Sequence, residues 1–395
     1  EWLNNLKLRA SYGQVGNDVY TVGGVAQRFL YEEKWSQISN DYMFGTSGKS
    51  GIYETQYPNY GVTWERAHKY NVGLEFGLWN GLLNGNIDLF HEKRNDILTN
   101  YLTRPEWVGV TMAAGNLGET VNSGFEIELK HNNHIGKEFQ YNVGLTFSHA
   151  KNEIKNMDEP ALKTDYRKRE GHPIGQYYGL VCDGFVTAAD VADPNFPTST
   201  FGNVQVGDLK YRDMNNDGFI DERDETFIGY SDVPENTYAL TLGCNYKGIG
   251  FSVMFQGVDH VSRYYDAEAM YAFVSGGKVK EHHLDRWNPT KSESENLASA
   301  KYPLLHYDSY GDHNQRQNSF FLKNGAFMRL KNIELSYTLP TKWIEKVGMS
   351  DCRLYVNGNN LITWDHLDDL CDPESNGSNR YPIMKTVNFG VNIKF

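Results

Sequence analysis

The 395-residue sequence has no apolar run approaching the roughly eighteen residues of a membrane-crossing helix, so any crossing of a bilayer must be made by strands. It also lacks basic excess. A formal net charge of -12 excludes the positive face that phosphate backbones require, and nucleic acid is not an expected partner. Cysteine is sparse: Cys182, Cys244, Cys352 and Cys371 lie far apart with no C-x-x-C spacing, which signals neither a zinc site nor a dense disulfide framework. The opening residues Glu1-Trp2-Leu3-Asn4-Asn5 carry no basic region, apolar core or cleavage site, and read as the interior of a longer polypeptide. What is abundant is aromatic side chain and glycine. With 26 Tyr, 20 Phe, 8 Trp and 38 Gly, the composition is that of a strand-rich, turn-rich chain.

Period-two alternation runs through the sequence in segments of about ten residues, the pattern of a strand with one apolar face. Tyr70, Val72, Leu74, Phe76 and Leu78 stand opposite Asn71, Gly73, Glu75 and Gly77. Phe139, Tyr141, Val143, Leu145 and Phe147 stand opposite Gln140, Asn142, Gly144 and Thr146, and Val387, Phe389, Val391, Ile393 and Phe395 repeat the pattern at the end. Weaker alternation marks Leu6–Tyr12, Ile87–Leu98, Phe125–Leu129, Tyr238–Tyr246, Phe251–Phe255, Phe327–Tyr337 and Leu354–Asn360, giving about ten strands. Short connections (80–85, 133–138, 247–250, 339–350) alternate with long ones (13–66, 101–122, 151–236, 259–325, 362–384). Compact soluble domains rarely connect strands in this way, whereas outer-membrane barrels combine short turns on one side with long loops on the other. A soluble sandwich or propeller also alternates. Strands of about eleven residues at roughly 3.3 Å each, tilted near 45°, span about 25 Å, which matches the apolar band of a barrel wall. The expected fold is all-β: an antiparallel transmembrane β-barrel of about ten strands in this chain, with Glu75, Asn142 and Asn392 on a wet inner face.

The last fifteen residues, YPIMKTVNFGVNIKF, end on an aromatic after apolar residues at every second position, and resemble a terminal strand recognised by outer-membrane assembly machinery. Phe327–Ile333, Leu335–Pro340 and Leu354–Leu361, together with Leu6–Gly16 (LKLRASYGQVG), Trp64-Glu65-Arg66-Ala67 and Asn116-Leu117-Gly118-Glu119, resemble the C-terminal part of the SusC/RagA family of TonB-dependent transporters. The likeness extends over essentially the whole chain, 1–395. It implies a 22-stranded barrel with an N-terminal plug and TonB-contacting segment upstream, and a SusD-like surface lipoprotein closing the outer mouth. It further implies a multi-pass location in the outer-membrane lipid, and import of an oligosaccharide or oligopeptide without covalent chemistry.

One motif carries explicit chemistry. Within the long loop 151–236, the stretch 213–224 has the spacing of a calcium loop: Asp213, Asn215, Asp217, the Phe219 carbonyl, Asp221 and Asp224 at positions 1, 3, 5, 7, 9 and 12, with Gly218 at the sharp turn. Position 12 is Asp rather than the longer Glu, and neither flank reads as a helix, so the expectation is a structural Ca2+ loop that orders the segment. A polar turn that binds nothing is the alternative. Gly45-Thr46-Ser47-Gly48-Lys49-Ser50 fails phosphate-loop spacing and reads as a flexible loop. His282-His283 and the pair His131 and His134 lack metalloprotease spacing, and the carboxylates Asp183, Asp190, Asp193, Asp368, Asp369 and Asp372 cannot be paired from sequence, so no enzyme is indicated. The loop aromatics Trp35, Trp107, Trp287 and Trp364, with Tyr264, Tyr265 and Tyr271, are candidates for stacking on a sugar or peptide, though such residues also pack loops and form interfacial girdles. A secreted carbohydrate-binding or adhesion domain with a calcium-ordered loop is the competing reading.

Overall fold

A computed structural model describes residues 2–103, 106–161, 164–265, 270–274, 278–307, 313–367, 371–375 and 381–395, without the side chains at 40–42, 44 and 106. Ten strands form one sheet: β1 (Leu3–Asn17), β2 (Glu65–Leu78), β3 (Leu83–Thr99), β4 (Gly115–Ile135), β5 (Phe139–Asn156), β6 (Asn236–Tyr246), β7 (Ile249–Asp259), β8 (Phe327–Thr338), β9 (Asp351–Trp364) and β10 (Thr386–Lys394). Their order in the sheet is their order in the chain. Each of the ten alternating segments lies in its own strand, save the final residue Phe395 just past β10, and pairing is antiparallel at β1–β2, β6–β7, β7–β8, β8–β9 and β9–β10.

The chain divides into two compact units, 1–78 with 85–127 and 149–174, and 79–84 with 128–148 and 175–395. In the first, register sets Leu8 against Leu74, Ala10 against Val72 and Tyr12 against Tyr70 on one face, and Lys7 against Glu75 and Arg9 against Gly73 on the other. The apolar row is in the open: Leu8 is 73% exposed and Val72 47%. The polar row is the one with internal partners. Arg9 pairs with Glu75 at 2.9 Å and Asp88 at 3.0 Å, and Glu75 also reaches Lys7 at 3.5 Å. In the second unit Val387, Phe389, Val391 and Ile393 of β10 are likewise exposed, Phe389 at 83%. Opposite them, Asn388 bonds Asn357 at 2.9 Å, and Asn332 donates to Asn359 at 2.9 Å. Water-exposed leucine rows beside a polar, hydrogen-bonded face invert a soluble sheet's polarity, in which the apolar face is the covered one.

Most strands are longer than the alternation suggests, up to 21 residues in β4, while β10 has 9. Beyond the apolar band the strand ends carry paired polar residues, such as Glu65 with Arg94 and Glu119 with Lys93, and the pattern fades. Register shifts at Met254/Phe255 and Leu330/Asn332 leave Lys331 as an extra residue in β8 and switch the phase of its alternation, which explains the weak signal there.

The long connections are themselves packed. In the second unit Leu180, Leu209, Tyr211, Ile220, Tyr265, Met270, Tyr302, Phe321 and Leu367 form one buried cluster drawn from three different connections. Arg329 of β8, 1% exposed, ties a further segment down: Nη2 meets both Asp372 oxygens at 2.8 Å and Nη1 meets Glu374 at 2.6 Å. Gly45-Thr46-Ser47-Gly48-Lys49-Ser50, read from sequence as a flexible loop, is instead the turn and start of a hairpin between Lys34–Phe44 and Ser47–Tyr57. Gly45, at φ +65°, supplies the left-handed residue such a turn requires.

Candidate functional site

Three motifs distant in sequence converge in the first unit. The indole of Trp64 lies where a Cβ on Gly16 would come within 2.8 Å, so only glycine fits beneath it. Asn116 accepts from the Thr63 amide at 2.9 Å and donates to the carbonyls of Thr63 at 2.8 Å and Asp96 at 2.7 Å. Glu65 pairs with Arg94 at 2.7 Å, Arg66 with Asp96 at 3.0 Å and Glu119 with Lys93 at 2.8 Å. These residues clamp strand ends beneath the first long connection.

Above that clamp, Leu30, Ala113 and Ala114 form a small core with Tyr20, Val62 and Leu98. A recess of about 590 Å³ opens over it, lined further by Asp18, Arg28, Phe29, Tyr31 and Trp64. Phe29 holds φ +56°, a conformation bulky residues rarely adopt, and its ring meets that of Tyr31 edge-on at 6.2 Å. Neither the backbone of Phe29 nor its place beside Trp64 has a sequence signal. A second recess of about 550 Å³ lies on the polar face near the short turns of the second unit, lined by Asn142, Asn245, Ser252, Glu334 and Arg353, the last two in an ion pair.

The calcium-like loop closes on itself. Asp213 accepts from the amides of Asn216 at 2.6 Å, Asp217 at 3.3 Å and Gly218 at 2.8 Å, and the Asn215 side chain donates to the Asp217 carboxylate at 3.1 Å and accepts from the Asp217 backbone amide at 2.9 Å. Arg223 bridges Asp217 and Asp221, at 2.7 Å to each. Asp224, fully buried, accepts from the amides of Met214 and Asp221. The Phe219 carbonyl belongs to a two-residue strand, Phe219–Ile220, rather than to a helix. Among the described residues no group of three or more His, Cys, Asp or Glu is disposed to hold a metal.

The aromatic candidates separate. Trp35 and Trp107 are exposed, at 57% and 85%, and the Trp35 indole donates to Glu33 at 3.4 Å. Trp287 is a correction: it is buried under Gly207, where a Cβ would meet the indole at 2.4 Å, and packs edge-on against Phe185 at 5.5 Å, so no ligand can stack on it. Trp364 extends the exposed apolar row, opposite Met328 and 6.4 Å from Phe255, as a girdle residue does. Tyr265 is buried with its hydroxyl on the Leu367 carbonyl, while Tyr264 and Tyr271 bond each other against the same core. Of the carboxylates, Asp183 pairs with Arg212, Asp190 with Lys210 and Asp372 with Arg329; Asp193 caps its own turn through the Asn195 amide, and Asp368 and Asp369 lie outside the described residues. His131 bonds the Tyr141 hydroxyl and His283 is a core residue. Burial pushes the Cys182 and Cys371 thiols up to about 11, so neither is a nucleophile at neutral pH.

An antiparallel sheet with its leucines, valines and aromatics outward and its ion pairs on the opposite face is the wall of a membrane-spanning β-barrel. Residues 1–361 match the family described as TonB dependent receptor-like, beta-barrel, and the chain belongs to that family. TonB-dependent receptor P26 of Formosa agariphila is 26% identical over the whole chain and 40% of its own length; TonB-dependent receptor SusC of Bacteroides thetaiotaomicron is 25% identical over the whole chain and 38% of its own. The solved structure of the RagAB peptide transporter superposes with a TM-score of 0.69 at 21% identity, over the whole chain and 41% of that structure's. The chain thus spans about 40% of the length of the relatives it matches.

Proposed function

We propose that these ten strands form part of the wall of an outer-membrane barrel that imports a large nutrient, an oligosaccharide or oligopeptide, driven by TonB and working with a SusD-like surface lipoprotein as lid. The observation that carries this reading is the inverted polarity of the sheet, which suits lipid outside and a wet lumen inside. A secreted binding domain would leave those leucine rows in water. The packed long connections supply a preformed outer surface, the polar face supplies the lumen, and the peptide named for the RagAB structure favours the peptide arm. Cells lacking the protein should lose uptake of one labelled oligomer class, and de-energising the membrane should abolish it equally. Uptake that is unchanged in the deletion, or indifferent to energy, would contradict the reading.

Calcium remains the proposed ligand of the 213–224 loop, on the spacing of its oxygens, with Arg223 as internal competitor for Asp217 and Asp221. Millimolar calcium should raise the melting temperature, and more so in Arg223→Ala, which removes the competing guanidinium from both carboxylates. No shift in either protein would reject the site.

A further inference from the structure

We infer that the recess over the first long connection is a subsite for one residue of an oligopeptide, holding an apolar side chain between aromatic rings and the peptide's charged or amide groups at Asp18 and Arg28; this rests on the import reading above. The floor is rigid and apolar, because Leu30 and Val62 are fixed by the small core that includes Ala113 and Ala114. Around it stand three exposed rings, Phe29 at 56%, Tyr31 at 49% and Trp64 at 62%. The volume, about 590 Å³, falls in the range of small-molecule sites and admits an apolar side chain together with its flanking backbone. Phe29 is placed there at a backbone cost. Its left-handed φ is a conformation that glycine would adopt freely, and the strain holds an aromatic ring at the mouth where solvation alone gives it no reason to stand.

Charge decides the ligand class. Asp18 and Arg28 line the same recess, yet neither forms a hydrogen bond or ion pair with any described residue. A carboxylate and a guanidinium that are unpaired beside an apolar slot complement an amphoteric ligand with an apolar side chain, the chemistry of a peptide. A neutral sugar would use the rings but leave the guanidinium without a matched partner.

The test is equilibrium binding to the purified protein in detergent, with an unblocked Leu-Phe-containing tetrapeptide, its end-blocked form, and a neutral hexasaccharide as probes. Phe29→Gly removes the ring while relieving the backbone, so its melting temperature should not fall. It should nevertheless weaken tetrapeptide binding about tenfold or more. Arg28→Gln and Asp18→Asn should weaken the unblocked peptide and narrow its advantage over the blocked one. Tetrapeptide binding that is unchanged in all three variants would overturn the subsite and leave the import reading standing. Hexasaccharide binding that is lost in Phe29→Gly would overturn the peptide assignment. Failure of the import reading would show separately, as uptake unaffected by deletion of the protein.

Discussion

His283 shows how a single side chain fixes a long connection. Its Nε2 donates to the Met270 carbonyl at 2.7 Å, and its Nδ1 accepts from the Lys280 amide at 2.9 Å, so both nitrogens are satisfied only in the neutral ring. Protonating Nδ1 would set a donor against a donor. Burial accordingly holds the imidazole below its ordinary value. The unfolded chain therefore takes up the proton first as pH falls: the stabilisation is complete above about pH 6.5 and is lost progressively below it, toward the folded value. The melting temperature should fall as the pH is taken below about 6.5 in the wild type and fall less in His283→Gln. An identical pH dependence in both proteins would show that His283 is not the titrating group. None of this was legible in the dipeptide His282-His283, because a histidine in a core and one in water look alike until the carbonyl of a residue thirteen positions away is placed. Trp287 taught the same lesson. Its burial under Gly207 comes from a contact eighty positions apart in the chain.

At the scale of the element, the period-two pattern found every strand of the sheet, since each carries a lipid-type face whose side chains must alternate with polar ones. Strand ends were not legible, because the alternation stops where the bilayer would stop while the hydrogen-bonded ladder continues. The packed core of the connections was not legible either: Leu180, Leu209, Tyr265 and Leu367 meet without any common period. The candidate site followed the same division. The motif residues Trp64 and Asn116 could be found by resemblance, and Phe29 and Arg28 could not. The two faces of β10 give a direct experiment. Val391 stands on the exposed apolar row, and Asn392 on the opposite face, across from Arg353. Val391→Arg should impair membrane assembly, by roughly 2–4 kcal/mol if the site is near the midplane, while Asn392→Arg should assemble normally. Assembly yield measured by heat-modifiable gel migration checks this, and the opposite ranking would reverse the assignment of faces.

For the whole molecule, family membership, strand order and polarity point the same way: ten consecutive strands of a barrel wall whose relatives are about two and a half times as long. The acidic balance of the chain suits a surface that meets water on loops and lumen while its neutral rows meet lipid. The central claim is that those rows face acyl chains, and photolabelling tests it most directly. Outer-membrane vesicles from producing cells would be irradiated with a photoactivatable lipid probe confined to the bilayer core, and the labelled peptides read by mass spectrometry. Labelling confined to the β1 row of Leu6 and Leu8, the β8 residue Leu335 and the β10 row of Val387, Phe389 and Val391, with none at Arg9, Glu75, Asn388 or Asn392, is the result predicted. Recovery of the protein without lipid label in the soluble fraction, or label on the polar row, would contradict the account.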